Sequence, residues 1–515
     1  MNNRKIIIGT RGSKLALWQA NYVKGILEKL KLQSEIKIIK TKGDKIQNLS
    51  FEKIEGKGFF TKEIEEELLN KSIDLAVHSL KDLETKQPIG LKIAAVPNRE
   101  DPSDTLVIDK KFVDQTKLLH LATNAIVGTS SARRKNQLLF FRDDLNVLSL
   151  RGNVPTRIKK LDNGDYNAIV LAKAGLNRLK IDLSNFFVFD LSPSMFIPAP
   201  AQGALGIQVR ENDNELVDIL SVVSDDESLK NVSFEREVLK KSGGGCHSPL
   251  GIFSIIGLDG KRNTWVSSAE NIQSTPIRFF TNSDDSDSIA EKLKNKKNKK
   301  KIWISRQLDQ DSLFKKLLSP LNCIIDDLPL IEKTTVMLDK MPFCDWIFFN
   351  SAFSFDSISH LNKQTKNKKI AAFGNSTANY LKKNGLSPNF IGNGDPESVS
   401  KNFLKTIKDD EVVFFPSSNI SLGSVQKKLP NKNKVVKVTY NTIFKELKLK
   451  QYDYLVFTSP SNVNAFNVKN TVGNQIAISI GPRTSEALNS ATVNRVFQSY
   501  ESTELSLAET VISLL

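Results

Sequence analysis

Residues 6–22, IIIGTRGSKLALWQANY, contain an apolar strand, a turn of small and hydroxyl residues, and the beginning of a helix. Leu15, Trp18 and Tyr22 recur at helical spacing after the turn, which predicts a helix with one apolar face. The same order of features returns at residues 126–134, IVGTSSARR. Two strand–turn–helix units of this kind indicate two α/β lobes.

Both turns place a hydroxyl residue and an arginine at the N-terminus of a helix. The free backbone N–H groups and the helix dipole at such a position favour anions. Ordinary N-capping by Ser or Thr explains the same residues and is common. Both explanations stay open for one turn alone, but the pair favours two anion-binding lobes that face a cleft.

The bulk composition is that of an ordinary folded protein with several domains. The chain has 515 residues, of which 40% are hydrophobic and 25% are charged. Its net charge of +16 fits either a polyanionic ligand or solvated surface lysines, because lysine is abundant throughout. The arginines differ, since they cluster with Gly, Ser and Thr, where a rigid bidentate donor is useful.

Targeting and metal-binding signals are weak. The first residues lack the apolar core of a signal peptide, and the uncharged stretch 191–209 contains Pro and Gly, which argues against a membrane span. Cys246, Cys323 and Cys344 form no CxxC pair, so neither a disulfide framework nor a metal site is predicted. We expect a cytoplasmic, reduced setting with no membrane or nucleic-acid partner.

A lysine-rich run at residues 294–301 predicts a linker, because like charges repel one another and keep the chain extended. Beyond it, DWIFFNS at 345–351 is echoed by DYLVFTS at 453–459, and AFGNSTA at 372–378 by SIGPRTS at 479–485. The echo predicts a duplicated strand–turn–helix unit, with largely parallel sheets. Ligands in such folds bind beyond the carboxyl ends of the strands.

Three groups of residues are candidates for chemistry, and each has a simpler explanation. Asp82 follows an apolar strand and suits acid–base work or cation stabilisation, but with Lys81 it also fits a surface ion pair. Cys246 follows three glycines, which suits an accessible thiol, although a structural cysteine is equally compatible. Arginines beside Gly or Ser suggest recognition of several carboxylates or phosphates, although arginines scattered over the surface are the simpler explanation. The arginines concerned are Arg11, Arg133, Arg134, Arg151, Arg157 and Arg178.

Together the motifs resemble the hydroxymethylbilane synthase (porphobilinogen deaminase) family. They occur in the family's order over residues 4–255: GTRGSKLALWQ, EGKGFFTKE, DLAVHSLKDL, REDPSDTLV, VGTSSARRKNQL, LRGNVPTRIKKLDNGDYNAIVLAKAGLNRL, PAPAQGALGIQVR and GGGCHSPLG. The resemblance implies an α/β multidomain fold. Two periplasmic-binding-protein-like lobes, at 1–99 with 200–217 and at 100–199, would precede a small α+β cofactor-bearing domain at 218–293.

The resemblance also implies a reaction. Cys246 would carry a dipyrromethane cofactor through a thioether, and four porphobilinogen units would be added head to tail with loss of ammonia. Asp82 matches the family's catalytic carboxylate, with Lys81 beside it. The implied cofactor-binding residues are Cys246, Ser79, Lys81, Asp82, Ser131, Arg133 and Arg134. The implied substrate-binding residues are Arg11, Ser13, Lys53, Lys57, Thr129, Arg151, Arg157 and Arg178.

Two departures from the family pattern lie outside this chemistry. His-Ser-Pro-Leu-Gly follows the cysteine where the family has Gln-Val-Pro-Ile-Gly or similar, and Pro155 stands where Gly is common.

Residues 302–515 resemble a second family, uroporphyrinogen-III synthase, through FFNSAFSF, AAFGNSTANYL, VTYNTIF, VFTSPSNVNAF and ISIGPRTSEAL. That resemblance implies a bilobal α/β pair that closes hydroxymethylbilane with inversion of ring D, largely by holding the substrate's conformation. Tyr440 and Thr484 match the positions expected to act, and Ser459 and Ser461 are the implied carboxylate binders.

Three alternatives remain open at this point. The chain could be a bilobal anion-binding protein without chemistry, or a nucleic-acid-binding protein, which the dispersed arginines disfavour. The C-terminal half could also dock or channel product without catalysis. For the deaminase part we expect a monomer.

Overall fold

The protein is described by a computed structural model that covers residues 5–41, 61–243, 248–294, 299–365, 367–393, 396–421 and 423–515. It divides into two compact units. The first contains Met1–Lys301, Leu308–Ile325 and Phe497–Leu515, and the second contains Ile302–Gln307 and Asp326–Val496. The first unit thus includes two segments from beyond the lysine-rich run, and the domain boundaries drawn from the sequence stay predictions.

The described residues form helices and strands in alternation through most of the chain. Helices α1 to α15 are Lys14–Lys29, Lys62–Leu69, Ala132–Phe141, Val154–Asp162, Lys173–Leu179, Asn214–Ser221, Asp226–Lys241, Ser286–Lys294, Leu313–Leu318, Ala352–Asp356, Asn375–Lys383, Pro396–Leu404, Pro460–Asn467, Pro482–Ser490 and Glu504–Leu514. Strands β1 to β12 are Ile6–Thr10, Ser34–Ile38, Leu75–Ser79, Leu91–Ala95, Asp104–Asp109, Ile126–Gly128, Asn146–Leu148, Ala168–Ala172, Phe186–Leu191, Leu205–Arg210, Leu250–Ile256 and Arg262–Ser268. Strands β13 to β24 are Ile277–Thr281, Lys301–Ile304, Ile324–Asp327, Ile331–Thr335, Trp346–Phe349, Lys369–Ala372, Phe390–Ile391, Val413–Ser418, Lys434–Phe444, Tyr454–Phe457, Ile476–Ser479 and Val496–Gln498.

The first sheet has the strand order β2-β1-β3-β10-β4. Strands β1, β2 and β3 run parallel, whereas β10 runs antiparallel to both of its neighbours. Ile6 and Ile8 of β1 are buried against Val23 and Leu27 of α1, so the apolar residues of the opening stretch form one core. The chain leaves this sheet after β4 and returns to it with β10.

The second sheet, β7-β6-β8-β5-β9, repeats the design of the first. Strands β6, β7 and β8 are parallel, and β5 runs antiparallel to β8 and β9. The two predicted strand–turn–helix units therefore lie in two five-stranded sheets, and in each sheet four strands run in one direction while one strand is reversed.

A smaller antiparallel sheet, β11-β12-β13, follows. Helix α7 packs against β11, and helix α15 packs against β13. Phe253 and Trp265 of this sheet form a buried cluster with Ile197, and the cluster is extended by Phe280 and Tyr500. Residues near position 500 therefore pack onto the third sheet of the first unit and extend its apolar core.

The second unit confirms the duplicated strand–turn–helix pattern. Strand β17 leads into α10 and strand β22 into α13, with Ser351 and Ser459 as the corresponding N-caps. Strands β18 and β23 lead into α11 and α14, with Gly374 and Gly481 at the same position. Strands β14, β22 and β23 are parallel, as are β17, β18, β20 and β21, while β16 pairs antiparallel with β21.

Among the described helices, none combines the length and the apolar character that crossing a bilayer requires.

Candidate functional site

The stretch after β3 turns sharply at the carboxyl end of the strand. Leu80, Lys81 and Asp82 form a single 3-10 turn, and Leu80 and Leu83 are buried beneath it. Because these two leucines anchor the turn from below, Lys81 is left half-buried and Asp82 is exposed. The predicted position of Asp82, immediately beyond an apolar strand, is confirmed.

Asp104 lies at the first position of β5 and is fully buried. Its Oδ2 accepts a hydrogen bond of 2.8 Å from Arg133 Nη1, and its Oδ1 accepts bonds of 3.1 and 2.7 Å from Arg134 Nε and Nη2. Burial opposes ionisation of Asp104, but the two guanidinium charges outweigh it and hold its pKa well below the usual range.

Gln202 joins the turn at Lys81 to this ion-pair group. Its Oε1 accepts a 3.2 Å hydrogen bond from Lys81 Nζ, and its Nε2 donates a 2.9 Å bond to Asp104 Oδ1. Burial lowers the pKa of Lys81 to about 8; the charge of Asp82 opposes this shift, and that of Arg134 adds to it. Lys81, which follows β3 of the first sheet, and Asp104, on β5 of the second sheet, thus share one polar network.

Arg157 extends the positive charge. Burial lowers its pKa to about 10, with further lowering by the nearby charges of Arg134 and Arg151. Burial and neighbouring cations both disfavour the charged form of a guanidinium. We refer to Lys81, Arg133, Arg134, Arg151 and Arg157 as the cationic cluster. The carboxylates of Asp82 and Asp104 both act on Lys81, and that of Asp82 also acts on Arg157.

The hydroxyl residues predicted at the site cap helices. Ser13 accepts from the backbone N–H of Ala16 at the start of α1, and Ser131 accepts from that of Arg134 at the start of α3. N-capping, the simpler explanation, is therefore correct for both serines. Capping uses the hydroxyl oxygen as an acceptor and leaves its hydrogen available to a ligand.

Two other predicted hydroxyl residues are also hydrogen-bonded. Thr129 is buried, and its Oγ1 accepts from the Ser131 backbone N–H at 3.2 Å. Ser79, the residue before the turn, accepts a 2.9 Å bond from Gln19 Nε2.

The structure does not join every predicted residue to the cluster. Arg178 is buried, donates a 2.6 Å hydrogen bond to the Gly203 carbonyl, and lies 5.7 Å from the Trp18 ring. Arg11 is half-buried directly after β1. Lys53, Lys57 and Cys246 lie outside the described residues.

Sequence reasoning missed Asp104 and Gln202, although both stand inside the motifs quoted for the family. The available signal was an acidic residue at the start of an apolar strand, which needs a cationic partner if it is buried. His78, by contrast, lies within β3 and away from the exposed face of the turn at Asp82. It is buried, its Nε2 lies 3.1 Å from Gln208 Oε1, and burial lowers its pKa to about 4.

The described residues contain two of the three cysteines, Cys323 and Cys344. No group of three or more His, Cys, Asp or Glu residues there could hold a metal ion. Cys323 and Cys344 are both buried, and burial raises the pKa of the Cys344 thiol to about 11.

The predicted residues of the C-terminal half lie on the second unit. Ser459 caps α13 and Ser461 is half-buried in its first turn, while Thr484 is buried in the first turn of α14. These three follow the carboxyl ends of β22 and β23. Tyr440 lies on β21 of the other sheet, and its ring meets that of Phe353 edge-on at 5.1 Å.

Two family models match the chain. Residues 6–218 match "Porphobilinogen deaminase, dipyromethane cofactor binding domain". Residues 316–509 match "Uroporphyrinogen-III synthase HemD".

Curated relatives match the N-terminal half closely. The porphobilinogen deaminase of Maridesulfovibrio salexigens is 47% identical over 279 residues, which are 54% of this chain and 88% of the relative. That of Clostridium novyi is 45% identical over 261 residues, which are 50% of this chain and 85% of the relative. Among solved structures, uroporphyrinogen-III synthetase from Helicobacter pylori aligns with 42% of this chain and all of its own, at 19% identity and a TM-score of 0.34.

Proposed function

The chain belongs to the porphobilinogen deaminase family, and from that premise we propose that it makes hydroxymethylbilane from four porphobilinogen units, with loss of ammonia. The cofactor of the matched domain is dipyrromethane. The observation that carries the proposal is the cationic cluster beside the exposed carboxylate of Asp82.

The residues of the cluster fit the cofactor's chemistry. Each pyrrole ring carries an acetate and a propionate arm, so a dipyrromethane needs several cationic partners in a small space. Arg133 and Arg134 share the single carboxylate of Asp104, which neutralises one of their two charges. Together with Ser79, Lys81, Asp82 and Ser131 they would hold the group, and Cys246 would form the thioether. When bound, the cofactor supplies the primer to which substrate is added.

Asp82 has the role of managing positive charge on the substrate. As the amine of porphobilinogen leaves, positive charge develops on the pyrrole, and a fixed carboxylate stabilises it. The same carboxylate accepts a hydrogen bond from the pyrrole N–H. The buried leucines beneath the turn hold Asp82 in place for both tasks.

The remaining predicted residues bind the acidic arms of substrate and product. Guanidinium groups suit this task because each donates two parallel hydrogen bonds to a carboxylate. We propose this role for Arg11, Ser13, Lys53, Lys57, Thr129, Arg151, Arg157 and Arg178. Crowding of like charges around Arg157 supports it, since an arriving carboxylate relieves that repulsion.

We propose that the two larger sheets of the first unit are periplasmic-binding-protein-like lobes. Support comes from the reversed strand that each sheet contains and from the return of β10 to the first sheet. We also propose that the deaminase part acts as a monomer in the cytoplasm.

For the C-terminal half we propose cyclisation of hydroxymethylbilane to uroporphyrinogen III. The match to the synthase model and the duplicated turns that carry Ser459 and Thr484 favour it over a purely docking or channelling role. Tyr440, Thr484, Ser459 and Ser461 are the proposed residues.

One experiment tests both halves. Purified full-length protein is incubated with porphobilinogen, and the product isomers are separated after oxidation. Type III product supports both activities. Predominantly type I product, which forms by spontaneous closure, would restrict the activity to the deaminase. If porphobilinogen is not consumed, the whole proposal is wrong.

A further inference from the structure

Helix α15, at residues 504–514, packs against β13 and so belongs to the same compact unit as the cationic cluster. Within it, Glu509 is fully buried, and it is also the final residue of the match to the synthase model. A buried carboxylate needs a cationic partner, and here the partner comes from a part of the chain far away in sequence.

That partner is Arg278 of β13, which is itself fully buried. Its Nε donates a 2.9 Å hydrogen bond to Glu509 Oε1. The other carboxylate oxygen accepts from the Tyr500 hydroxyl. Burial raises the pKa of Glu509, and the Arg278 charge opposes this shift.

A second donor of Arg278 reaches α3, the helix whose first turn carries Arg133 and Arg134. Nη1 donates to Gln137 Oε1 at 3.3 Å, and Nη2 donates to the Met195 carbonyl at 2.9 Å. The guanidinium carbon also lies 5.8 and 5.4 Å from the rings of Phe140 and Phe141 on the same helix. Arg278 therefore touches α3 at three positions.

Gln137 continues the network to the cluster. Its Nε2 donates to the Ile197 carbonyl at 2.8 Å, and its Oε1 accepts from the Ile197 backbone N–H at 2.8 Å. Arg133, one helical turn before Gln137, donates to the same Ile197 carbonyl at 2.9 Å. A continuous path of hydrogen bonds thus runs from Glu509 through Arg278, Gln137 and Ile197 to Arg133.

Each member of this path is buried, so none can exchange its partner for water. Without the Glu509 carboxylate, the Arg278 charge would be buried and unpaired, and the side chain would have to move toward solvent. Its bonds to Gln137 and to the Met195 carbonyl would then change, and α3 would lose a constraint on its inner face.

We propose that Glu509 is a positioning residue for Arg133: it holds Arg278, which in turn holds α3 and its arginines in place for carboxylate binding. The inference rests on the proposed deaminase function and adds to it. A residue from the region matched by the synthase model would then help to shape the deaminase site.

The test compares Glu509→Gln with Glu504→Gln in the full-length chain. Both residues lie on α15, but Glu504 Oε2 accepts a 2.8 Å hydrogen bond from Ser312 Oγ, the N-cap of α9, whereas Glu509 binds Arg278. For Glu509→Gln we expect KM for porphobilinogen to rise about tenfold with kcat nearly unchanged, a size typical of coupling within one hydrogen-bond network. Amide hydrogen exchange in residues 132–141 should accelerate in the same variant. Glu504→Gln should leave both readouts as in the wild type.

A double variant separates positioning from general damage. If Glu509 acts through Arg278, adding Glu509→Gln to Arg278→Gln should raise KM no further than Arg278→Gln alone. Additive effects, an unchanged KM in Glu509→Gln, or a Glu509→Gln protein that fails to fold would each overturn the positioning role. A wild-type chain that does not consume porphobilinogen would instead overturn the proposed function, and the exchange measurement would still report on the network.

Discussion

The guanidinium of Arg134 donates two hydrogen bonds, of 3.1 and 2.7 Å, to the same carboxylate oxygen of Asp104. This arrangement leaves the second oxygen for Arg133. One buried carboxylate therefore orients two arginines whose combined charge it cannot neutralise. The remaining positive charge of this pair supports the proposed binding of carboxylates at the site.

Asp104→Asn should destabilise the first unit by about 3–5 kcal/mol, because it leaves two buried guanidinium groups without a counter-charge. The folded-state pKa of Asp104 is depressed, so its contribution is present above its ordinary pKa of 3.8 and is lost as pH falls through the lower folded value. Thermal unfolding at pH 7 and in acid checks both points. Asp101→Asn is the control, because its ion pair with Lys173 is partly exposed and should contribute at most about 1 kcal/mol. Equal losses in the two variants would contradict the role of Asp104.

The binding of porphobilinogen should weaken as pH rises through about 8. The pKa of Lys81 is lowered to about 8 by burial, so the ammonium is present below that value and is lost above it. KM measured from pH 6.5 to 9.5 should rise on the alkaline side. Lys81→Arg keeps its charge over this range and should flatten the profile. A wild-type KM that rises no more steeply than that of Lys81→Arg would exclude titration of Lys81 as the cause.

Asp82→Asn should lower kcat by at least about a hundredfold, since the amide carries no charge to stabilise a developing cation. The substitution keeps the size of the side chain, so the protein should stay folded and should still bind pyrroles. Single-turnover kinetics with fluorescence-detected binding separates these two effects. Glu84→Gln, two residues further along, serves as the control. Wild-type turnover in Asp82→Asn would remove the carboxylate from the mechanism.

Intact-mass spectrometry should reveal a dipyrromethane adduct on the purified protein, and Cys246→Ala should lack it. Cys323→Ala is the matched control, because this thiol is buried and lies within the region matched by the synthase model. An active protein without the adduct, or an adduct that persists in Cys246→Ala, would refute the assignment of the anchor.

Tyr440→Phe should lower the proportion of type III product while porphobilinogen consumption stays the same, if Tyr440 takes part in ring closure. Tyr452→Phe is a suitable control. Its hydroxyl donates to Asp326 Oδ2 at 2.7 Å, so any loss in that variant would report on folding of the second unit. An unchanged isomer ratio in Tyr440→Phe would exclude the Tyr440 hydroxyl from the cyclisation.

The local pattern was predictable because it depends on neighbouring residues. Alternating apolar strands and capped helices predicted the two mainly parallel sheets, the duplicated turns at Ser351 and Ser459, and the place of Asp82 after β3. In each case the hydrophobic period and the capping residue lie within one short window of sequence.

The partners of the arginines could not be predicted in the same way. Asp104 is 29 and 30 positions before the arginines that it pairs with, and Gln202 is 98 positions after Asp104. Nothing in a local window indicates which acid will become buried beside which base. Such pairings depend on how the sheets assemble.

The pairing of Arg278 with Glu509 spans 231 positions and has a consequence for biosynthesis. At about 5–20 residues per second, a ribosome needs roughly 10–50 seconds to add Glu509 after Arg278. During that interval the Arg278 guanidinium on β13 lacks the carboxylate of Glu509. In nascent chains, the backbone amides of α3 should therefore become protected from hydrogen exchange later than those of β1 or β3. A chaperone that binds the third sheet would act during this interval.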